Sequence, residues 1–205
     1  MAVAAIVVAA GRGTRFGGPK QFAPFGEGTV AAASVALCRT VADFVVLVVP
    51  SDYQGSGEGA DLVVTGGDSR SESVRAGLTR CGDADVIVVH DAARPYATPD
   101  LFQRVLAGLD SGCDGVIPGV AVTDTIKQVA QNNGRVDVVG TLPRETLVAV
   151  QTPQAFTRRA LVAAHSGGDD ASDDAALVEA SGGTVVVVPG ELENLKITVA
   201  SDLRV

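Results

Sequence analysis

The densest chemistry in this chain lies in one short stretch, Ala9-Ala10-Gly11-Arg12-Gly13-Thr14-Arg15-Phe16-Gly17-Gly18-Pro19-Lys20-Gln21. Glycines at 11, 13, 17 and 18 free backbone N–H groups to approach an oligophosphate, and Arg12, Arg15 and Lys20 bring positive charge. A glycine-rich segment with three cations, in a chain whose formal net charge is -8, needs an anionic partner. It is not a dinucleotide fingerprint, because Phe16 stands where the third glycine belongs, and no Gly-Lys-Ser/Thr ends it as a Walker A loop would. A second group is Gly66-Gly67-Asp68-Ser69, whose polar groups either read a nucleotide's base and ribose or simply cap a helix. In the third, His90-Asp91-Ala92-Ala93-Arg94-Pro95, Asp91 suits a ribose hydroxyl or a hydrated Mg²⁺, and His90 reads as a satisfied core histidine. The remaining clusters are Thr123-Asp124-Thr125-Ile126-Lys127, Arg144, Gln151-Thr152-Pro153-Gln154 and Asn194-Leu195-Lys196-Ile197-Thr198. With the first loop they make two centres of positive charge, one for a triphosphate and one for a second anionic substrate.

The elements that must position these groups are legible as apolar runs alternating with helical stretches. Val3–Val8, Phe44–Val49, Leu62–Thr65, Val86–Val89, Gly115–Ile117 and Thr184–Val188 read as short buried strands. Ser69-Arg70-Ser71-Glu72 is a capping box, Thr98-Pro99 an N-cap followed by proline, and Ser172-Asp173-Asp174 a third helix start. Such alternation predicts an α/β fold with right-handed crossovers and a Rossmann-like, mostly parallel sheet covered on both faces. In sheets of that kind ligands bind beyond the carboxyl ends of the strands, where the three loops fall. Residues 120–150 break the rhythm: Val120–Val129, a turn at Asn132-Asn133-Gly134 and Val136–Val139 read as an inserted antiparallel β-arm. An exposed hairpin is marginal alone, so a second subunit is the natural surface for it. No linker or repeat interrupts the chain, so residues 1–205 are expected to form one domain.

Composition bounds the rest. With 16 Lys+Arg against 24 Asp+Glu the chain lacks the basic footprint of a nucleic-acid binder, and its apolar runs fall short of the ~18–20 residues that span a bilayer. Met1 leads straight into a strand-like run with no basic segment before it, so a cytoplasmic location is expected. Cys38, Cys81 and Cys113, odd in number and widely spaced, read as reduced buried residues rather than a disulfide or zinc set. Only Lys20, Lys127 and Lys196 are lysines among the 16 basic residues, which marks them as places where a compact ammonium is wanted over a guanidinium fork.

The ordered set Ala-Ala-Gly-x-Gly-x-Arg (9–15), Pro-Lys-Gln (19–21), Gly-Gly-Asp-Ser-Arg (66–70), Val-His-Asp-Ala-Ala-Arg-Pro (89–95), Asp-Thr-Ile-Lys (124–127), Gln-Thr-Pro-Gln-x-Phe (151–156) and Asn-x-Lys-Ile-Thr (194–198) resembles the 2-C-methyl-D-erythritol 4-phosphate cytidylyltransferases of the non-mevalonate isoprenoid pathway. The resemblance runs from Val3 to Leu203. It implies a homodimeric, Mg²⁺-dependent enzyme that condenses CTP with methylerythritol phosphate and releases pyrophosphate. It also implies roles. Arg15 and Lys20 act on the α-phosphate, Ala9, Ala10, Gly11, Gly13, Gly67, Asp68 and Ser73 contact the nucleotide, and Asp91 and Ala92 serve the ribose and the metal side. Thr125, Arg144 and Lys196 hold the acceptor, the first two from an arm that reaches into the other subunit, with Arg94 and Thr152 as further substrate contacts. The segment from Pro50 to Ala60 departs from the pattern, being short and glycine-rich where relatives carry a longer helical stretch. The rival acceptor is ribitol 5-phosphate; a sugar-1-phosphate nucleotidyltransferase and a non-catalytic nucleotide-binding regulatory module are more distant readings. Asp124-Thr125-Ile126-Lys127 and Leu142-Pro143-Arg144-Glu145 favour methylerythritol phosphate.

Overall fold

A computed structural model describes residues 1–109 and 112–203. Its centre is β1 (Val3–Val8), a strand with no polar side chain, flanked in parallel by β4 (Phe44–Val49) and β6 (Val86–Asp91). β5 (Leu62–Thr65) extends the sheet beyond β4. Beyond β6 lies β11 (Gln154–Thr157), antiparallel to both β6 and β7 (Gly115–Ala121). β7 also pairs with β10 (Val148–Val150) through its last residues and with β12 (Val185–Pro189) in parallel. The sheet is therefore mostly parallel, as the alternation of runs predicts, with β11 inserted as an antiparallel strand that those runs do not announce.

Because strand side chains alternate, β1 feeds two cores. Val3, Ala5 and Val7 pack with α1 (Val30–Cys38) and α3 (Pro99–Gly108) through Val35, Leu101, Phe102 and Val105. Ala4 and Ile6 face α2 (Arg70–Leu78), α4 (Arg158–His165) and α5 (Asp174–Ala180) through Val74, Leu161 and Val178. Each such side chain stabilises the fold by about 1.5–3 kcal/mol on full burial. All three cysteines are buried in these layers and none forms a disulfide, as expected. The helix starts also stand where the caps predict. The Thr29, Ser69, Thr98 and Asp173 side chains each accept from a first-turn N–H, and the Ser69–Glu72 box is complete in both directions.

One expectation needs correction. The run 120–129 is not one strand of the arm. Val120 and Ala121 pair with Ala149 and Val148 in the main sheet, residues 122–125 leave it, and β8 (Ile126–Asn132) begins a separate sheet with β9 (Arg135–Leu142). Pairing partners, not apolarity, divide that run. The turn itself is as read, with Asn133 and Gly134 at φ 48° and 79°, the left-handed pair of a tight hairpin. Pro50 to Ala60, short and glycine-rich as read, forms a helix-free loop between β4 and β5. A further hairpin, β2 (Pro24–Phe25) with β3 (Gly28–Thr29), precedes α1.

The chain runs from β1 to β4 and β5 on one side and returns to β6 on the other, so the order reverses between β1 and β6. The crevice at that switch point is where an open α/β sheet binds its ligand. Register places Val8 opposite Asp91 there.

Candidate active site

An open cleft of about 880 Å³ occupies this crevice. It is lined by Ala9, Ala10, Gly11, Gly13, Arg15 and Lys20 from the first loop, by Gly67, Asp68, Arg70 and Ser73 around the start of α2, and by Asp91 and Lys196. Most residues that the sequence singles out thus meet in one place, brought together from across the chain.

The first loop is less open than its glycines suggest. The Gly13 carbonyl accepts the N–H groups of Phe16 (2.9 Å), Gly17 (3.1 Å) and Gly18 (3.2 Å), and Lys20 N–H donates to Gly18 O (2.8 Å). Half the expected phosphate donors are therefore spent inside the loop. Among the described residues, Gly11 to Arg15 donate no backbone hydrogen bond to another backbone group. The loop is closed by a residue that sequence reasoning left without a role. Buried Gln21 donates from Nε2 to Ala9 O (2.7 Å) and Gly11 O (2.9 Å), tying the two ends together. Gly13 sits at φ +63°, and a Cβ there would lie 1.8 Å from Gly18 O. Gly13→Ala is expected to open the loop and raise the KM for a nucleotide by about tenfold or more, with a modest drop in melting temperature from backbone strain, no core contact being lost. An unchanged KM would separate the loop from nucleotide binding.

Charge in the cleft is unevenly neutralised. Lys196 Nζ donates to Asp91 Oδ2 at 2.6 Å, and Arg70 Nε donates to Asp91 Oδ1 at 3.3 Å. These cations hold the Asp91 carboxyl far below the usual carboxylate range despite burial, which acts the other way. Arg12 approaches Asp68 at 3.9 Å across the exposed mouth. Among the described residues Arg15 and Lys20 have no carboxylate within ion-pair distance. Burial first, then the charges of Lys196 and Arg15, press the Lys20 ammonium below its ordinary value. Asp91 and Asp202 attract Lys20 through space without outweighing these effects, so two cations without ion-pair partners stand beside a third and form a site for polyanions.

Other expected contacts lie elsewhere. Ala92 is buried, its carbonyl accepting from Ser34 Oγ (2.8 Å), and it is Ala93 that lines the cleft. Arg94 and Thr152 line a neighbouring pocket of about 210 Å³ that shares Arg70, Asp91 and Lys196 with the main cleft. Within it Arg94 supports the chain: Nη1 donates to Asn194 O (2.8 Å), while Asn194 Nδ2 donates to Thr152 O (2.9 Å). Thr152 Oγ1 accepts from Asp91 N–H at 3.0 Å and meets His90 Nδ1 at 3.1 Å. His90 is buried, with Nε2 at 3.2 Å from Arg94 O, and burial pushes its pKa down to about 4. It is the core histidine expected. Thr125 and Arg144 are exposed and line neither pocket; Arg144 Nη1 donates to Thr123 O (2.7 Å) within the arm. On that arm Val129, Val136, Val138 and Val139 are each more than half exposed.

The open sheet, the self-closed glycine loop and the clustered cations at the β1–β6 switch point are those of an α/β nucleotidyltransferase. A family model for 2-C-methyl-D-erythritol 4-phosphate cytidylyltransferase (IspD) matches residues 3–205. The enzyme of that name from Rhodococcus jostii is 43% identical over 210 residues, covering 98% of this chain and 92% of the relative. A bifunctional IspD/IspF enzyme from Clavibacter michiganensis is 41% identical over 216 residues, covering 97% of this chain and 52% of the relative, so the chain spans about half of that protein. The crystal structure of the cytidylyltransferase from Thermus thermophilus superposes with a TM-score of 0.82 at 33% identity, covering 99% of this chain and 96% of the other. The chain belongs to the 2-C-methyl-D-erythritol 4-phosphate cytidylyltransferase family.

Proposed function

We infer that this chain transfers the cytidylyl group of CTP to 2-C-methyl-D-erythritol 4-phosphate, releasing pyrophosphate. The observation that carries the reading is the pair of cations without ion-pair partners, Arg15 and Lys20, set against the clasped Lys196–Asp91 pair in one cleft. The acceptor's phosphate oxygen attacks the α-phosphorus in line, and the bond to the β-phosphate oxygen breaks. A phosphate monoester has its second pKa near ~6 and is largely ionised at neutral pH, so the nucleophile needs no base. The two imidazoles fit that account: His90 and His165 are both buried away from the cleft. The work left for the protein is electrostatic: it must hold two repelling anions in line and stabilise charge on a five-coordinate phosphorus. Arg15 and Lys20 do this at the α-phosphate. Gly11, Gly13, Gly67, Asp68 and Ser73 hold the nucleotide, and Lys196 holds the acceptor, with Arg94 and Thr152 bracing the pocket beside it.

Mg²⁺ fits this site in one mode only. Among the described residues there is no cluster of three or more acidic, histidine or cysteine ligands, and both oxygens of Asp91 are engaged. A Mg²⁺ ion bound largely by triphosphate oxygens and water, with Asp91 as the nearby carboxylate, matches that chemistry and would neutralise phosphate charge. The arm supports a homodimer. An isolated two-stranded sheet with exposed valines is marginal in water, and Arg144 and Thr125 line neither the main cleft nor the neighbouring pocket of their own chain. In the dimer they complete the acceptor site of the partner subunit.

The reaction is tested by pyrophosphate release with CTP and Mg²⁺, offering methylerythritol phosphate or ribitol 5-phosphate. Rapid release is expected with the first; release with the second alone would overturn the acceptor assignment. The pH profile offers another check. Lys20 must carry its proton to act on phosphate, and in the free enzyme its pKa lies below the ordinary 10.5. kcat/KM is therefore expected to fall as pH rises through that lowered pKa, on the acid side of an ordinary lysine. The stability sign is opposite: the cost of the buried ammonium is fully present below the folded pKa and relieved as pH rises towards 10.5. In Lys20→Arg the alkaline limb should disappear, because a guanidinium stays charged. A limb at the same pH in that variant would assign it to another group.

A further inference from the structure

Behind the cleft an unbroken line of charged and hydrogen-bonding groups runs from α4 to the loop after β12. His165 Nε2 lies 3.0 Å from Asp174 Oδ1, and Arg70 Nη1 donates to Asp174 Oδ2 at 2.7 Å. Arg70 Nε reaches Asp91 Oδ1 at 3.3 Å, and Lys196 Nζ takes Asp91 Oδ2 at 2.6 Å. Asp174 is 0% exposed and lines neither pocket, so it meets no substrate. A buried carboxylate carries a desolvation cost that an apolar residue at the start of α5 would avoid.

Its effect shows in how Arg70 is used. The Nε and Nη2 hydrogens of a guanidinium form a parallel fork that grips both oxygens of a carboxylate. Here Nε holds one oxygen of Asp91, while Nη2 is buried without a partner and Lys196 holds the second oxygen. The two-pronged grip is available to Arg70 and is not made, because Asp174 draws the guanidinium the other way through Nη1. We propose that Asp174, steadied by His165, is a positioning residue: it restrains Arg70 to one oxygen of Asp91 and so leaves the other to place Lys196. That placement is a claim about the protein alone; its consequence for turnover rests on the function inferred above.

The test reads the two separately. Lys196 acylation by limiting acetic anhydride is followed by peptide mass spectrometry, with Lys127 on the arm as internal standard, alongside kcat and KM for CTP. In Asp174→Asn the side-chain amide opposes the Arg70 N–H, Arg70 closes on Asp91, and the released Lys196 should acylate several-fold faster relative to Lys127. kcat should fall about tenfold to a hundredfold, as expected when a reacting group is misplaced by about an ångström, with KM for CTP changed by less than about threefold. Asp174→Glu, which keeps the charge and both acceptors, should restore slow acylation. Unchanged Lys196 acylation in folded Asp174→Asn would overturn the proposal. If wild type released no pyrophosphate while the acylation change appeared, the function would fall and the positioning role would stand. Should Asp174→Asn not fold, the double change Arg70→Met with Asp174→Leu removes both charges together, a replacement buried pairs tolerate. There Asp91 is left to Lys196 alone, and acylation should be slower than in wild type; an equal rate would again overturn the idea.

Discussion

Lys20→Met is expected to lower kcat by about 10²–10³, or roughly 3–4 kcal/mol of transition-state stabilisation, while the protein melts close to wild type. The structure separates these two outcomes. The Lys20 ammonium makes no ion pair among the described residues, and although Asp91 and Asp202 attract it through space, its burial beside Lys196 and Arg15 outweighs them, so removing the charge relieves a cost rather than creating one. What is lost, on the function proposed above, is a cleft cation that acts where charge builds on the α-phosphate. Lys20 follows directly on the closed loop, in a 3-10 turn whose Gln21 ties that loop shut, so its position is fixed by backbone rather than by a long flexible reach. A fall in kcat with CTP affinity reduced far less is the pattern of an interaction made chiefly in the transition state. Equal losses in binding and turnover would make Lys20 a nucleotide anchor, and near-normal turnover would remove the first loop from the chemistry.

The sequence is informative about this site wherever local chemistry decides the structure. Ser69 with Glu72, Thr98 with Pro99, and Asn133 with Gly134 each specify their geometry within four residues, and all three form as read. The runs around Val3, Phe44 and Val86 are apolar on both faces because helices cover both sides of the sheet, so they too announce themselves. β11 does not. Gln154–Thr157 is a central strand only because β6 and β7 stand on either side of it, and nothing in those four residues states that. Arg94 shows the same limit at the level of a side chain. An arginine beside an aspartate at a strand end looks like a phosphate ligand, yet its guanidinium is held by Asn194 O, a carbonyl 100 residues away. Arg70 lies within a recognisable motif, but its buried partner Asp174 is 104 residues distant. Spacing reveals which groups chemistry would want; it cannot reveal which will be consumed by tertiary partners.

The arm carries the other large prediction, because the proposed division of labour between subunits can be made to rescue itself. Arg144→Ala should impair use of methylerythritol phosphate far more than CTP binding, since Arg144 lines neither the main cleft nor the neighbouring pocket of its own chain. Lys20→Met removes the nucleotide side of a site and leaves its arm intact. Each variant alone is expected to be nearly inactive. In a heterodimer of the two, one site combines the intact Lys20 of one protomer with the intact Arg144 of the other, while the second site has lost both. Random mixing after reversible dissociation makes half the dimers mixed, with one working site in two, so about a quarter of wild-type activity should return. No trans arrangement can restore activity if Arg144 acts within its own chain or has no part in the reaction, and the mixture would then show only the mean of its parents. Subunit exchange has its own control in the exposed valines of β9. Val136→Asp with Val138→Asp puts charge on a face that the dimer would bury. Sedimentation should then report monomers, and the rescue should vanish while CTP binding persists. Rescue that survived in a demonstrably monomeric pair would place the complementation outside the arm altogether.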